Sequence, residues 1–264
     1  MKNNVNKKNS SMLSWMKDLF PYCRSITGEG IRASYAYFKK INPEFKLLKF
    51  KSGKKVFDWT VPNEWIIKDA YIQNISSGKK FANFKSNNLH LINYSIKKNT
   101  ILPKSKILKK IYTLKNQPSA IPYVTSYYKK DWGFCMSEKQ KKKLPNGNYK
   151  VFIDSNFKRG SLDLMELVLP GKSKKEIFFS TYLCHPSMAN NELSGPVLLN
   201  KIIQNLKKKK NNFTYRFVIL PETIGSISYL SKRMNILKKN LIAGFVLTCV
   251  GDEKCYSLTK SRNG

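Results

Sequence analysis

Acidic residues, histidine and arginine are all scarce in this chain, and long apolar runs are absent from it. The 264 residues include 16 aspartates and glutamates, two histidines and six arginines. No stretch approaches the roughly 18 apolar residues that a membrane-spanning helix requires. Residues 1–20 also lack the apolar centre and small-residue cleavage site of a signal peptide. These absences predict a cytoplasmic protein with no membrane partner.

Cysteine is neither paired nor regularly spaced. The five cysteines, at positions 23, 135, 184, 249 and 255, form no Cys-x-x-Cys pair. Their odd number and irregular spacing argue against a disulfide framework and against a four-cysteine zinc site. Cys184 precedes a histidine, but it ends a run that is predicted to be a buried strand. A cysteine nucleophile is therefore disfavoured.

Lysine dominates the charge. Of the 49 basic residues 43 are lysine, and the formal net charge is +33. Such a charge produces salt-dependent, non-specific adhesion to polyanions. Arginine, however, makes most of the bidentate contacts to phosphates and bases, and the lysines are scattered along the chain. We expect no specific nucleic-acid partner and keep a lysine-driven polyanion binder as an alternative function.

The pattern of apolar residues changes twice along the chain. Residues 11–42 are predicted to be helical, with a glycine turn at 27–30. From 45 to 150, short β-prone runs, including 89–96 and 121–128, alternate with Gly, Pro and Asn turns, which predicts a mostly antiparallel β domain. After 150, strands and helices alternate, which is typical of a parallel or mixed sheet with crossover helices. The run EIFFSTYLC at 176–184 is typical of a strand buried on both faces.

Polar side chains follow three successive predicted strands of the α/β region. His185 ends the first, and Glu192 lies between it and the next helix; Glu222 follows the second strand and Asp252 the third. Ligands bind at the carboxyl ends of the strands in such sheets, and zinc hydrolases combine imidazole and carboxylate groups. Each residue alone is typical of a loop or helix cap, but their conjunction indicates a metal site. The second histidine, His90, lies in the β domain and is predicted to be structural.

Two blocks of the sequence resemble a known protein family. STYLCHPSMANNELSGP (180–196) and LPETIGSISYL (220–230) resemble an aminopeptidase-like family of bacterial proteins, relatives of the two-zinc exopeptidases that are usually described as a domain of unknown function. Similar blocks at 19–32, 56–72, 121–136 and 246–264 extend the resemblance over nearly the whole chain.

The resemblance implies an α/β fold, a zinc-exopeptidase-like mixed sheet with crossover helices, plus an inserted mostly antiparallel β domain. The expected domains are an N-terminal helical part of the core (1–44), the insert (45–150) and the remaining core (151–264). Family members continue past this point to a further histidine ligand and a winged-helix tail. We therefore expect the chain to be C-terminally truncated.

The resemblance also implies roles for the site residues. His185 matches the histidine that opens the metal site, Glu222 resembles the general base, and Glu192 and Asp252 are the further candidate ligands. Asn191 stands where a bridging aspartate is usual, and Thr223 where the second of two paired glutamates is usual. These departures favour a single metal, an altered chemistry or a degenerate site. The segment 24–30 is predicted to be a glycine turn, with approach to the site as the alternative.

Together these observations predict a metal-dependent, aminopeptidase-like hydrolase that cleaves a peptide or amide bond. One or two zinc ions would activate water, the substrate would be a small peptide or amide, and a homo-oligomer is left open. The alternative is a non-catalytic binding or scaffold protein that retains the fold with a degenerate metal site.

Overall fold

The computed structural model describes residues 11–254 and 257–261. The helices are α1 (Met12–Leu19), α2 (Glu29–Ile41), α3 (Lys104–Leu108), α4 (Glu138–Lys142), α5 (Ser194–Leu206) and α6 (Ile224–Asn240). The strands are β1 (Lys46–Lys51), β2 (Lys55–Val56), β3 (Trp59–Thr60), β4 (Glu64–Asn74), β5 (Lys80–Phe81), β6 (Lys98–Pro103), β7 (Ile111–Tyr112), β8 (Phe134–Cys135), β9 (Asn148–Lys158), β10 (Ser161–Leu169), β11 (Ser173–Tyr182), β12 (Phe213–Leu220) and β13 (Leu241–Val246).

A mixed five-stranded sheet forms the core, with the strand order β1-β10-β12-β11-β13. β11 runs parallel to both β12 and β13, whereas β10 is antiparallel to β1 and β12. Helix α5 connects β11 to β12 and α6 connects β12 to β13, so both parallel pairs are joined by crossover helices. The predicted α/β fold is confirmed.

The N-terminal helices pack against the core sheet through their apolar faces. Ile31, Tyr35 and Phe38 are the buried apolar residues of α2, spaced at helical intervals, and they join Leu19 and Phe217 in one buried cluster. Gly30 permits the tight connection between α1 and α2, because a Cβ there would lie 1.8 Å from the carbonyl oxygen of Cys23.

A second, antiparallel sheet has the order β5-β4-β9-β6. The limits of the two sheets differ from the predicted boundaries at 45 and 150. β1 belongs to the core sheet because its buried residues Leu48 and Phe50 pair with Leu164 and Leu162 of β10. β9 continues past residue 150 as a partner of β4 as far as Lys158. The division into domains itself stays a prediction.

The prediction of strands at 89–96 and 121–128 is wrong. The first segment forms a short 3-10 turn at Asn88–His90 followed by isolated bridges, and the second is a loop with a single bridge at Thr125. Aromatic side chains from both segments pack together although their backbones form no strand ladder. Tyr94 stacks on Trp65 and contacts Tyr127 edge-on. β-propensity here reflects burial rather than extended pairing.

Among the helices that the structure describes, none combines the length and the apolar character needed to cross a bilayer.

Candidate active site

The carboxyl ends of β11 and β12 bring His185 and Glu222 together. The two strands are parallel neighbours with Tyr182 opposite Leu220, and the chain leaves both at the same edge of the sheet. As a result, Nε2 of His185 lies 3.6 Å from Oε2 of Glu222. The Glu222 side chain is about half exposed, at 48%, and the His185 side chain is 15% exposed. The imidazole is thus sheltered while the carboxylate faces open space.

Glu192 fixes the orientation of His185 from the other side. One carboxylate oxygen contacts Nδ1 of His185, and the second accepts the backbone N–H groups of Cys184 at 2.6 Å and His185 at 2.9 Å. Glu192 is completely buried. Because an ionised carboxylate only accepts hydrogen bonds, this network assigns the proton to Nδ1 and leaves Nε2 with a lone pair.

Arg24 holds the backbone of the same segment. Its side chain is fully buried, and it donates through Nε to the His185 carbonyl at 3.1 Å and through Nη1 to the Leu19 carbonyl at 2.6 Å. Burial lowers the pKa of Arg24 to about 10, against the opposing charge of Glu192. The segment 24–30 therefore both forms the predicted glycine turn and reaches the site.

Asp252 does not join this group. It is exposed on the loop after β13, where its carboxylate accepts hydrogen bonds from Asn190 Nδ2 at 3.0 Å and from the Lys254 backbone at 3.1 Å. Within the described ranges, the metal-type ligand atoms that lie within 4.8 Å of one another belong to Cys184, His185 and Glu192. β13 ends at Val246, and the residues that follow carry Asp252 onto the exposed loop. Its role as a ligand stays a prediction.

Asn191 occupies the edge of the site and acts as a donor. Its Nδ2 donates to the Tyr182 hydroxyl at 3.2 Å, and that hydroxyl shares a second hydrogen bond of 2.5 Å with Thr248 Oγ1. An amide that donates in this way supplies no negative charge for bridging two cations.

Thr223 adopts strained backbone geometry beside Glu222. Its φ of 56° and ψ of −70° place it at the centre of a γ-turn, closed by a 2.6 Å bond from the Ile224 N–H to the Glu222 carbonyl. A β-branched residue rarely takes a positive φ, and such strain concentrates at functional sites. The turn separates Glu222 from the first residue of α6, Ile224.

The Cys184 thiol lies at the base of the site, next to His185 and Glu192. It is buried, and its sulfur accepts a hydrogen bond from the Glu222 backbone N–H at 3.4 Å. Burial, with the charge of Glu192 beside it, raises the pKa of Cys184 well above its usual range. These observations support the expectation that Cys184 is not a nucleophile.

A cleft of about 310 Å³ opens over His185 and Glu222. Its other walls include aromatic and apolar side chains from outside the α/β region, namely Ile26, Trp59, Pro62, Tyr127 and Tyr128. Trp65 is buried, whereas Trp59 is half-buried and lines the cleft. The density of tyrosines between 121 and 128 is the signal that could have identified this wall.

Comparison with known proteins then connects this geometry to a family. The model of the family described as a domain of unknown function (DUF4910) matches residues 13–264. A Clostridium acetobutylicum protein named "Putative polysaccharide biosynthesis protein with aminopeptidase-like domain" is 43% identical over 259 residues, covering 97% of this chain and 59% of that protein.

Solved structures give the same picture of the fold. The structure of a Clostridium acetobutylicum "putative peptidase" superposes with a TM-score of 0.88 at 44% identity, covering 91% of this chain and 56% of that one. A zinc aminopeptidase from Bacillus subtilis has a TM-score of 0.60 at 12% identity, over 94% of this chain and 71% of that one. The chain thus spans less than two thirds of the length of the two Clostridium acetobutylicum proteins. It has an aminopeptidase-like fold.

Proposed function

The chain belongs to the DUF4910 family, and from that premise we propose that it is a metal-dependent hydrolase of a peptide or amide bond. The observation that carries this proposal is the orientation of His185. Glu192 holds Nδ1, so that the lone pair of Nε2 is directed toward the side of the cleft where Glu222 lies 3.6 Å away. A histidine that binds zinc through one ring nitrogen usually donates the N–H of its other ring nitrogen to a carboxylate, which is the role of Glu192 at Nδ1.

The chemistry of the donors fits zinc. His185 would supply the imidazole ligand through Nε2, with Asp252 as a further candidate ligand. For Glu192, both carboxylate oxygens are already engaged, and we propose that it orients the ligand instead of binding the metal directly. When bound, zinc lowers the pKa of a water ligand to about 7 and polarises the substrate carbonyl. Catalytic zinc sites use three protein ligands, so a third ligand besides this pair would be needed.

Glu222 is the proposed general base. Its carboxylate is half exposed in the cleft, within reach of a water molecule beside His185 Nε2. It would accept a proton from the attacking water and return that proton to the leaving amine as the amide bond breaks. The γ-turn at Thr223 holds the carboxylate at this position.

The cleft walls suggest the form of the substrate. Trp59, Tyr127 and Tyr128 present aromatic surface opposite the polar groups, which favours a substrate with an apolar or ring-shaped portion next to its amide. The name of the Clostridium acetobutylicum relative supports the inclusion of amides on sugars among the candidates.

One specific observation favours a second candidate, a non-catalytic binding protein. Asn191 and Thr223 leave the site with one exposed carboxylate beside His185. A site that had lost its metal would retain the aromatic cleft as a binding surface.

The deciding experiment measures metal content and hydrolysis on the same preparations. We expect about one zinc ion per chain in the wild type, as in single-metal hydrolases, and loss of that zinc in His185→Ala. Glu222→Gln should retain zinc while hydrolysis of aminoacyl anilides and N-acetyl amino sugars falls by about 10²–10⁴-fold. Unchanged hydrolysis in Glu222→Gln would remove the base assignment. A wild type that takes up no zinc would remove the metal-dependent proposal for this chain and leave the binding-protein alternative to be tested.

A further inference from the structure

A second cavity, of about 350 Å³, lies in the β domain between β5 and α4. It shares no lining residue with the cleft over His185. Its floor includes the side chains of Phe81, Met136 and Pro145, and His90 is part of its wall. Its volume is within the range of small-molecule sites, which are typically 300–1,000 Å³.

His90 brings an unused polar atom to this cavity. The residue is only 5% exposed, and its Nδ1 lies 2.7 Å from the carbonyl oxygen of Cys135. A carbonyl can only accept, so Nδ1 carries the proton and Nε2 is an acceptor. In the part of the chain that the structure describes, Nε2 has no hydrogen-bond partner. Nε2 is therefore available to accept a hydrogen bond from a ligand in the cavity.

The charges around the cavity have one sign. Among the residues that the structure describes, the lining includes Lys79, Lys80 and Lys143 and contains no aspartate or glutamate. The ammonium of Lys79 lies 5.6 Å from the centroid of the Phe81 ring, so a positive charge stands beside the apolar floor. Lys80 is directed to the ring of Tyr71, 3.8 Å from its centroid. Lys79 and Lys143 are therefore the cations available to a bound anion.

Burial also favours the neutral form of the His90 imidazole, in which Nε2 can accept a hydrogen bond. Desolvation lowers the pKa of His90, against the raising effect of its hydrogen bond to Cys135. The neutral imidazole is thus favoured, with its acceptor atom at Nε2.

We propose that this cavity binds a phosphate monoester with an apolar or aromatic body. The body would pack on Phe81, Met136 and Pro145. Nε2 of His90 would accept a hydrogen bond from the P–OH of the monoanion, and Lys79 and Lys143 would neutralise its charge. The site is independent of the proposed hydrolase activity and uses none of its residues.

Phenyl phosphate is the probe, and the chain itself provides the readout. Only two histidines are present, so the proton spectrum contains two imidazole Cε1–H signals to assign. His185→Ala identifies the signal of His90. At pH 6 in constant chloride, titration with phenyl phosphate should shift the His90 signal in a saturable manner. Inorganic phosphate and phenol, each lacking half of the ligand, should bind at least about tenfold more weakly, in line with the loss of about 1.4 kcal/mol.

Matched lysine variants separate a built site from general surface charge. Lys143→Ala should weaken binding of phenyl phosphate by about three- to tenfold, as expected for the loss of one nearby charge. Lys208→Ala removes an exposed lysine outside the cavity and should leave affinity unchanged. An unmoved His90 signal, or equal weakening in both variants, would overturn the proposal. Equal affinity for inorganic phosphate would overturn the part that assigns an apolar body to the ligand.

Discussion

The ring of Tyr123 packs edge-on against the imidazole of His185, with 4.4 Å between centroids and 66° between planes. Tyr123 comes from the region predicted as an insert and His185 from the core sheet. The Tyr123 hydroxyl bonds to that of Tyr127 at 2.7 Å, which fixes the ring that contacts the imidazole. With Glu192 at Nδ1 and Arg24 at the backbone carbonyl, three neighbours define the direction of Nε2.

Tyr123→Leu should loosen the His185 ring and weaken zinc retention. An edge-on aromatic pair contributes about 0.5–1.5 kcal/mol, so we expect roughly a three- to tenfold loss in zinc affinity. Competition with a chromophoric chelator measures this affinity. Tyr123→Phe keeps the ring and should remain close to the wild type. Equal losses in both variants would indicate that the hydroxyl bond to Tyr127, and not the ring contact, is what matters.

Glu192→Gln should affect metal binding more than Tyr123→Leu does. An amide cannot accept at both positions, so the Cys184 and His185 N–H groups and Nδ1 would compete for one oxygen. Removal of such a partner typically lowers metal affinity by about 10–100-fold. The same competition assay tests it, and Glu29→Gln, an exposed carboxylate of α2, is the control. Unaltered affinity in Glu192→Gln would contradict the orienting role.

Thr223→Gly should stabilise the fold. Glycine adopts a positive φ without the steric cost that threonine meets at φ 56°, so the free energy of unfolding should rise by about 1 kcal/mol. Denaturant titration measures the change. Thr100→Gly, within β6, should have the opposite sign because glycine weakens strands. A loss of hydrolysis in Thr223→Gly, at unchanged zinc content, would show that the strained turn positions Glu222.

A buried ionic network behind the core sheet should govern acid stability. Glu166 accepts from Arg216 at 2.6 Å, Tyr229 at 2.7 Å and Arg233 at 2.7 Å. Burial opposes ionisation, but these partners outweigh it and lower the pKa of Glu166 below its ordinary 4.5. A lowered pKa contributes stability that is complete above the unfolded value and is lost as the pH falls through the folded value.

The free energy of unfolding should therefore decline below about pH 4.5 in the wild type. Glu166→Gln should cost about 2 kcal/mol at pH 7, because Arg233 loses its carboxylate partner and the buried Arg216 keeps only Glu176. The difference between the two proteins should shrink as the pH falls below 4.5. Glu253→Gln, on an exposed loop, should match the wild type throughout. A constant difference down to acidic pH would show that the Glu166 carboxylate does not titrate as inferred.

Cysteine labelling should follow exposure. Cys249 is exposed, whereas Cys135 and Cys184 are buried, and desolvation raises the pKa of Cys135 to about 12. Brief treatment with iodoacetamide should label Cys249 and leave the other two unmodified until denaturant is added. Peptide mass spectrometry distinguishes the sites. Early labelling of Cys184 would contradict its burial at the base of the site.

The α/β half of the molecule was predictable because its strands and helices are specified by local apolar periodicity. The rule that ligands bind at the carboxyl ends of parallel strands then placed His185 beside Glu222 without any further information. The prediction that β11 is buried on both faces is wrong, since Phe178 and Phe179 are only half-buried. Apolar content alone does not reveal how completely the neighbouring elements cover a strand.

The rest of the site depends on tertiary packing that leaves no periodic signal. Tyr123 and Trp59 come from loops and short strands whose positions are determined by distant contacts, so their approach to the cleft could not be predicted. Glu192 was recognised as part of the site, but its pairing with Nδ1 follows from the path of the loop between His185 and α5. Three-dimensional contacts decide whether such an acid faces a metal or its ligand.

The pairing of β1 with β10 has a topological consequence. Ser52 and Gly160 are 108 residues apart in sequence, yet the Ser52 N–H donates to the Gly160 carbonyl at 2.9 Å and the Gly160 N–H to Ser52 Oγ at 3.0 Å. The chain thus leaves the core sheet after β1 and returns to it at β10, the antiparallel neighbour of β1. In the connectivity of the fold, residues 53–159 form the connection between these two paired strands. Such a connection can lengthen or change its sequence while β1 and β10 keep their register. Related chains can in this way acquire different cleft walls over the same core sheet.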